Sequence, residues 1–203
     1  MASLADALES GNTNSTMVRL LHTPARRTPR EGAVILAHGA GAPMDSPFLE
    51  VFAKELADRG IEVLRFEFPY MAGRREGKRR GPDRPDVLRQ TWLEAISEAV
   101  QLGVENPVIG GKSLGGRIAS MVADEANVAG LLCLGYPFHP PGTPERLRTA
   151  HLATLRTKSL ILQGERDPFG TKEEVATYSL SAAIEIGWIP DGDHSFKPRK
   201  SSG

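Results

Sequence analysis

Short runs rich in apolar residues recur along the chain, separated by segments of helical pattern. AVILAH (33–38), IEVLRFEF (61–68), PVIGG (107–111), AGLLCLGYP (129–137), KSLILQGE (158–165) and AAIEIGWIP (182–190) are the runs. A fully apolar run as short as AVILAH predicts a strand covered on both faces. Between the runs lie SPFLEVFAKELADRG, PDVLRQTWLEAISEAVQLG and LGGRIASMVADEA, which read as helices. Ser46 suits the cap of the first of these, Pro47 its first turn and Gly60 its end. TKEEVATYSL reads as a short helix with a capping box, Thr171 standing three residues before Glu174. MVRLLHTP predicts an edge strand ended by Pro24, and residues 1–16 read as a loose polar arm before a single domain over 17–203. Strands separated by helices predict an α/β fold, a mostly parallel central sheet between two helical layers. The same alternation would suit a flavodoxin-like or Rossmann sheet.

Composition narrows the classes. With 25 basic and 25 acidic residues in 203, nothing in the overall charge points to nucleic acid or a membrane surface. No apolar run approaches the length of a membrane span, and the N-terminus lacks a basic start followed by an apolar stretch. A cytoplasmic location is the expectation. The single cysteine, Cys133, excludes an intramolecular disulfide and a multi-cysteine zinc site, and its apolar surroundings predict a buried thiol.

In such sheets the functional groups gather where strands end. The ends here are HGAGAPMD (38–45), FPYM (68–71), GGKSLGG (110–116), GYPFHPPG (135–142), GERDPFG (164–170) and DGDHSF (191–196). Gly111-Lys112-Ser113-Leu114-Gly115 fits G-x-S-x-G, in which a strand turns abruptly into a helix and lifts the serine hydroxyl out of the sheet. The plainer reading is a tight strand-to-helix connection. Ser113, Asp167 and His194 fall at one edge in the order nucleophile, acid, base. His194 is expected to take the serine proton, and Asp167 to fix the imidazole tautomer. His139 is a rival base at the same edge, and Glu165, Asp191 and Asp193 are rival acids, the two aspartates also suiting turn chemistry. His38 is expected to brace the neighbouring loop. The backbone N–H of Leu114 and that of Ala40, with Gly41 close behind, are the expected oxyanion donors. No phosphate-binding glycine pattern stands in the expected place, so a nucleotide site is not expected.

With those pieces placed, the chain resembles the α/β-hydrolase superfamily from about residue 30 to 200. HGAGAPMDSPF, FPYM, GKSLGGR, GYPFHPPG, QGERDPFG and DGDHSFKP together resemble a small dienelactone-hydrolase-like family. Its relatives include a testis-expressed protein and the hydrolase-like domain of a scaffold subunit in a nuclear histone-acetyltransferase complex. The resemblance implies a three-layer α/β-hydrolase fold, eight-stranded or trimmed at its N-terminal edge. It implies Ser113, Asp167 and His194 as the catalytic triad of a serine hydrolase that needs no metal or organic cofactor. Some relatives serve as scaffolds, so a non-catalytic interaction module is the alternative.

The chain has no room for a cap domain, and only the 69–86 and 137–157 connections are long enough to act as partial lids. An open, shallow pocket accepting a small ester is therefore expected. Tyr70, Met71, Phe138, His139, Phe169 and Phe196 flank the candidate residues and are expected to line it. The basic stretch AGRREGKRRGPDRP (72–85) reads as a solvated loop or as a rim attracting anions. Lys112 is expected to point away from the substrate side and to form an ion pair, with a serine–lysine dyad as the alternative.

Overall fold

A computed structural model of the chain describes residues 18–28, 32–78 and 80–200. The arm expected over 1–16 and the basic Arg79 lie outside the described residues.

The apolar runs become strands. These are β1 (Leu20–Thr23), β2 (Gly32–Ala37), β3 (Ile61–Phe66), β4 (Val108–Lys112), β5 (Gly130–Leu134), β6 (Ser159–Gly164) and β7 (Ile184–Ile189). Among the described residues they form one seven-stranded sheet in the order β1-β3-β2-β4-β5-β6-β7. Every pairing is parallel except β1 with β3, so the expected edge strand runs opposite to the rest. From β2 the chain steps outward to β3, then returns across β2 to build β4 onward. That reversal leaves a crevice at the carboxyl ends of β2 and β4, where an open sheet binds ligands.

Helices α1 (Pro47–Ala57), α2 (Pro69–Arg75), α3 (Pro85–Gln101), α4 (Leu114–Ala126) and α5 (Lys172–Val175) join the strands. Proline opens each of the first three, where its missing N–H costs nothing. Ser46 occupies the N-cap of α1, but its side chain makes no capping hydrogen bond. The capping box expected at α5 is complete: Thr171 accepts from Glu174 N–H, and the Glu174 carboxylate accepts from Thr171 N–H. The loop expected after Phe68 is a helix for its first turns, because Pro69 presets the backbone for one.

The sheet separates two apolar clusters. On one face Ile35, Leu64, Phe66, Ile109, Leu131 and Cys133 pack under Trp92 of α3 and Ile118 of α4. On the other, Val34, Leu36, Val63 and Leu134 meet Leu49 and Ala53 of α1. Cys133 is fully buried, and burial pushes its thiol pKa well up, as its apolar run predicts. No helix among the described residues is long and apolar enough to cross a membrane.

The centre of the sheet tolerates no extra atoms. A Cβ on Gly110 would sit 1.8 Å from the carbonyl oxygen of Leu132, on the neighbouring strand. Replacing Gly110 with alanine must push β4 and β5 apart. Gly110→Ala is expected to cost about 3 kcal/mol or more in urea unfolding, the upper end of overpacking penalties.

Candidate active site

Ser113 is the residue between β4 and α4, with φ 51° and ψ −112°. An L-residue rarely holds that conformation, and it survives only where the surroundings dictate it. Two main-chain bonds hold it: Ser113 N–H donates to Leu134 O at 3.1 Å, and Arg117 N–H donates to Ser113 O at 2.9 Å. The flanking glycines are required by contact. A Cβ on Gly111 would lie 2.1 Å from Ala37 O, and one on Gly115 would lie 2.4 Å from the same oxygen. The serine thus stands at the first turn of α4, beside the loop that follows β2.

His194 and Asp167 reach it from the loops after β7 and β6. His194 Nε2 lies 2.9 Å from Ser113 Oγ, and His194 Nδ1 lies 2.7 Å from Asp167 Oδ2. The Asp167 carboxylate is fully buried and is hydrogen-bonded to donors. Phe169 N–H donates to Oδ1 at 2.9 Å, and the Gln163 amide donates to Oδ2 at 3.0 Å. An acceptor-only carboxylate next to Nδ1 requires the proton on that nitrogen, which leaves Nε2 free to accept from the serine.

The rival groups are engaged elsewhere. His139 lies 2.8 Å from Pro140 O through Nδ1 and 3.4 Å from Glu174 through Nε2. Glu165 pairs with Lys172, and that hydrogen bond holds its carboxyl below the usual range. Asp193 accepts from Ser195 N–H and Lys197 N–H, closing the turn that carries His194. Asp191 pairs with Arg166. His38 is fully buried, and desolvation lowers its pKa. Its Nε2 accepts from Phe68 N–H at 3.1 Å, so Nδ1 carries the proton donated to Gly39 O at 2.7 Å. That bond fixes the loop bearing Ala40 and Gly41.

A cavity of about 450 Å³ opens over these groups. The 39–42 loop, Ser46, Pro47, Phe48, Lys112, Ser113, Phe169, His194 and Ser195 line it. Of the side chains expected there, Phe169 lies in the wall, with its ring centroid 4.3 Å from that of His194. The others do not line it. Tyr70 and Met71 are buried in the core because α2 begins at Pro69 and turns them inward. Tyr70 still donates from its hydroxyl to Gly39 O at 3.3 Å, beneath the loop. Phe138 packs on Tyr136 and Tyr178, and His139 is buried. Phe196 sits behind Phe48, ring centroids 5.7 Å apart. Phe48 itself was not anticipated; its signal was its place in the first turn of the helix that follows the β2 loop.

One further polar residue, Gln163, escaped the sequence reading, and Lys112 is placed otherwise than expected. Gln163, fully buried in β6, accepts from Tyr136 N–H through Oε1 at 2.7 Å while its amide nitrogen reaches Asp167. Lys112 lies in the cavity lining rather than pointing away, and among the described residues it forms no ion pair. Its Nζ donates to His194 O at 2.5 Å and lies 5.6 Å and 5.9 Å from the Phe48 and Phe196 ring centroids. Burial lowers its pKa to about 8, against smaller opposing effects of Asp167 and Asp193. No group of three metal-ligating side chains occurs among the described residues. In the basic stretch, Arg75 is neutralised by Glu67 and Asp45, while Arg74, Lys78 and Arg80 line a separate cleft.

A strained serine between strand and helix, facing a histidine and a buried aspartate across a doubly wound sheet, defines the α/β-hydrolase arrangement. The chain belongs to the alpha/beta hydrolase domain family, whose model matches residues 30–203. Solved structures share the fold. An alpha-beta serine hydrolase homologue from Coxiella burnetii superposes with a TM-score of 0.68 at 20% identity, covering 88% of this chain and 84% of that one. A serine hydrolase without a lid from Xanthomonas campestris gives 0.66 at 16% identity, covering 92% and 89%. A dienelactone hydrolase from Anabaena variabilis gives 0.67 at 20% identity, covering 89% and 83%.

Two stability measurements test the polar contacts. Gln163→Leu leaves Tyr136 N–H and one Asp167 bond unmade in the interior, and is expected to cost about 1–3 kcal/mol in chemical denaturation. Lys112 has the opposite sign. Between about pH 8, its folded value, and 10.5, its ordinary value, the unfolded chain holds the proton more often than the folded chain. Stability from this group therefore rises with pH across that window. Lys112→Met is expected to be more stable than wild type at neutral pH, an advantage that shrinks as pH rises through the window in paired melts.

Proposed function

We propose that the protein is a serine hydrolase that cleaves small esters through an acyl-enzyme. The observation carrying this reading is the unbroken hydrogen-bonded chain from Ser113 Oγ through His194 to buried Asp167. Ser113 Oγ attacks the ester carbonyl as His194 Nε2 takes its proton. The oxygen that gains charge meets the main-chain N–H groups of Leu114 and Ala40, with Gly41 next in line. As the tetrahedral adduct collapses, the C–O bond to the alcohol breaks and His194 returns the proton to the leaving oxygen. Water then attacks the acyl-serine, His194 again serving as base, and the acid departs as the serine regains its proton. Asp167 stays ionised and stabilises the imidazolium. The open cavity, bounded by Phe48 and Phe169, favours acetyl or butyryl esters over long acyl chains. A lidless serine hydrolase among the fold neighbours supports an uncovered site.

A fluorophosphonate probe and a p-nitrophenyl ester series test the reading. Wild type is expected to label and to turn over the short esters, and Ser113→Ala to do neither. Asp167→Asn is expected to lower kcat about 10⁴-fold, by favouring the wrong histidine tautomer. Folded wild type that neither labels nor hydrolyses any ester would turn the reading to the interaction module. Better turnover of long-chain than short-chain esters would overturn the small-substrate assignment.

A further inference from the structure

We propose that Lys112 is a positioning residue whose ammonium, bound to the main-chain carbonyl of His194, holds the histidine loop against the strand that carries the serine. The inference rests on the hydrolase reading above and extends it to a residue that the triad chemistry does not use.

His194 stands between two loops and one strand, and its main chain needs fixing on both sides. On the acid side the fixing is dense. Arg166 N–H donates to Gly192 O at 3.0 Å, the Arg166 side chain reaches Asp191 O at 2.9 Å, and Glu165 accepts from Asp191 N–H at 3.2 Å. These bonds tie the loop after β7 to the loop after β6, so the His194–Asp167 distance is set by backbone as well as by side chains. Within its own turn, Asp193 accepts from Ser195 and Lys197.

On the serine side the contacts are few. Among the described residues, apart from the Ser113–His194 hydrogen bond itself, the polar contact from β4 to the His194 main chain is the one made by Lys112 Nζ. Lys112 is the last residue of β4 and pairs with Leu134 across the sheet, so its root is rigid. Its stem runs beside Gly39, and its head lies against Gly135, where a Cβ would come within 2.8 Å of Nζ. Gly135 also approaches His194 O, at 3.0 Å from the same built Cβ, so the glycine is what lets the lysine and the carbonyl meet. Phe48 and Phe196 flank the ammonium, their ring centroids 5.6 Å and 5.9 Å from Nζ.

A lysine chosen only for packing would gain nothing from this placement. Its charge is taken from water without a carboxylate at ion-pair distance among the described residues, and the depressed pKa records that cost. Methionine would fill the same space without it. What methionine cannot do is donate to His194 O. The lysine therefore trades stability for placement of the imidazole, and a shift of about 1 Å at a reacting group is enough to cost about 100-fold in rate.

The test is Lys112→Met and Lys112→Arg, assayed for steady-state turnover of p-nitrophenyl acetate beside thermal melts. Lys112→Met is expected to lower kcat about 10–100-fold with KM within about threefold of wild type and with no loss of melting temperature. Lys112→Arg, which keeps a charged donor, is expected to recover part of kcat. Unchanged kcat in Lys112→Met, a melting temperature that falls together with kcat, or an arginine variant as slow as the methionine one would each overturn the proposal. Should wild type hydrolyse nothing and resist the fluorophosphonate, the hydrolase reading fails separately. The brace is then read from the low-field proton NMR signal of the His194–Asp167 bond. Loss or broadening of that signal in Lys112→Met upholds the brace, and an equally sharp signal in both proteins overturns it.

Discussion

Main-chain contact between β2, β4 and the start of α4 is the constraint on which the site depends. Ala37 O is approached by Gly111 from β4 and by Gly115 from α4, each so closely that a Cβ would fall 2.1 Å and 2.4 Å away. A Cβ on Gly116 would lie 2.6 Å from Gly111 O, which packs the helix onto the strand it has just left. Only with all three side chains missing can the chain reverse within one residue. That residue, Ser113, takes the positive φ that the reversal requires. Strain of this kind costs about 1–3 kcal/mol and persists because the helix and strand on either side are fixed by their own packing. Trp92 contributes to that fixing, its indole N–H donating to Gly115 O while its ring meets Phe66 edge-on.

Once the serine is placed, the electrostatics of the site follow from which polar groups are buried and how each is satisfied. Asp167 is buried among donors. His38 is buried between one donor and one acceptor and is held neutral, so it shapes the 39–42 loop without adding charge next to the expected oxyanion donors. Lys112 is the exception. It adds a cation near the serine that no carboxylate among the described residues neutralises at close range, and its ammonium donates to the carbonyl of the histidine. These placements differ in cost, and the costly one marks where position matters more than stability.

The sequence carried the order of the sheet's strands along the chain and the residues at their carboxyl ends, because both follow from short apolar runs and the glycines that punctuate them. It therefore brings Ser113, Asp167 and His194 to one edge. The walls of the cavity were harder to read. A strand end names which residues are near the site, not which way they face, and one helical turn decides that. Pro69 starts α2 at once and sends Tyr70 and Met71 into the core, whereas Phe48, just inside α1, faces the cavity. Gln163 was missed, and Lys112 was given another partner, for a related reason. Both lie within strand runs whose pattern reports burial, and their roles depend on partners 4 and 82 residues away in the chain.

The two connections long enough to act as partial lids are fastened beside the site. The first becomes α2, anchored where Tyr70 N–H donates to Asp83 at 2.8 Å and where Arg74 reaches Ala40 O at 3.4 Å. The second is drawn down to the core, with Arg148 N–H donating to Phe138 O at 2.7 Å and the Tyr136 hydroxyl donating to Arg148 O at 3.1 Å. No described residue of either stretch lines the cavity over Ser113, which among the described residues has walls and no roof. Under the proposed hydrolase reading, desolvation of the reacting atoms would fall to the walls, where Phe169 lies against the imidazole and Phe48 beside Lys112. Selection among substrates would then rest on those walls rather than on the closing of a lid.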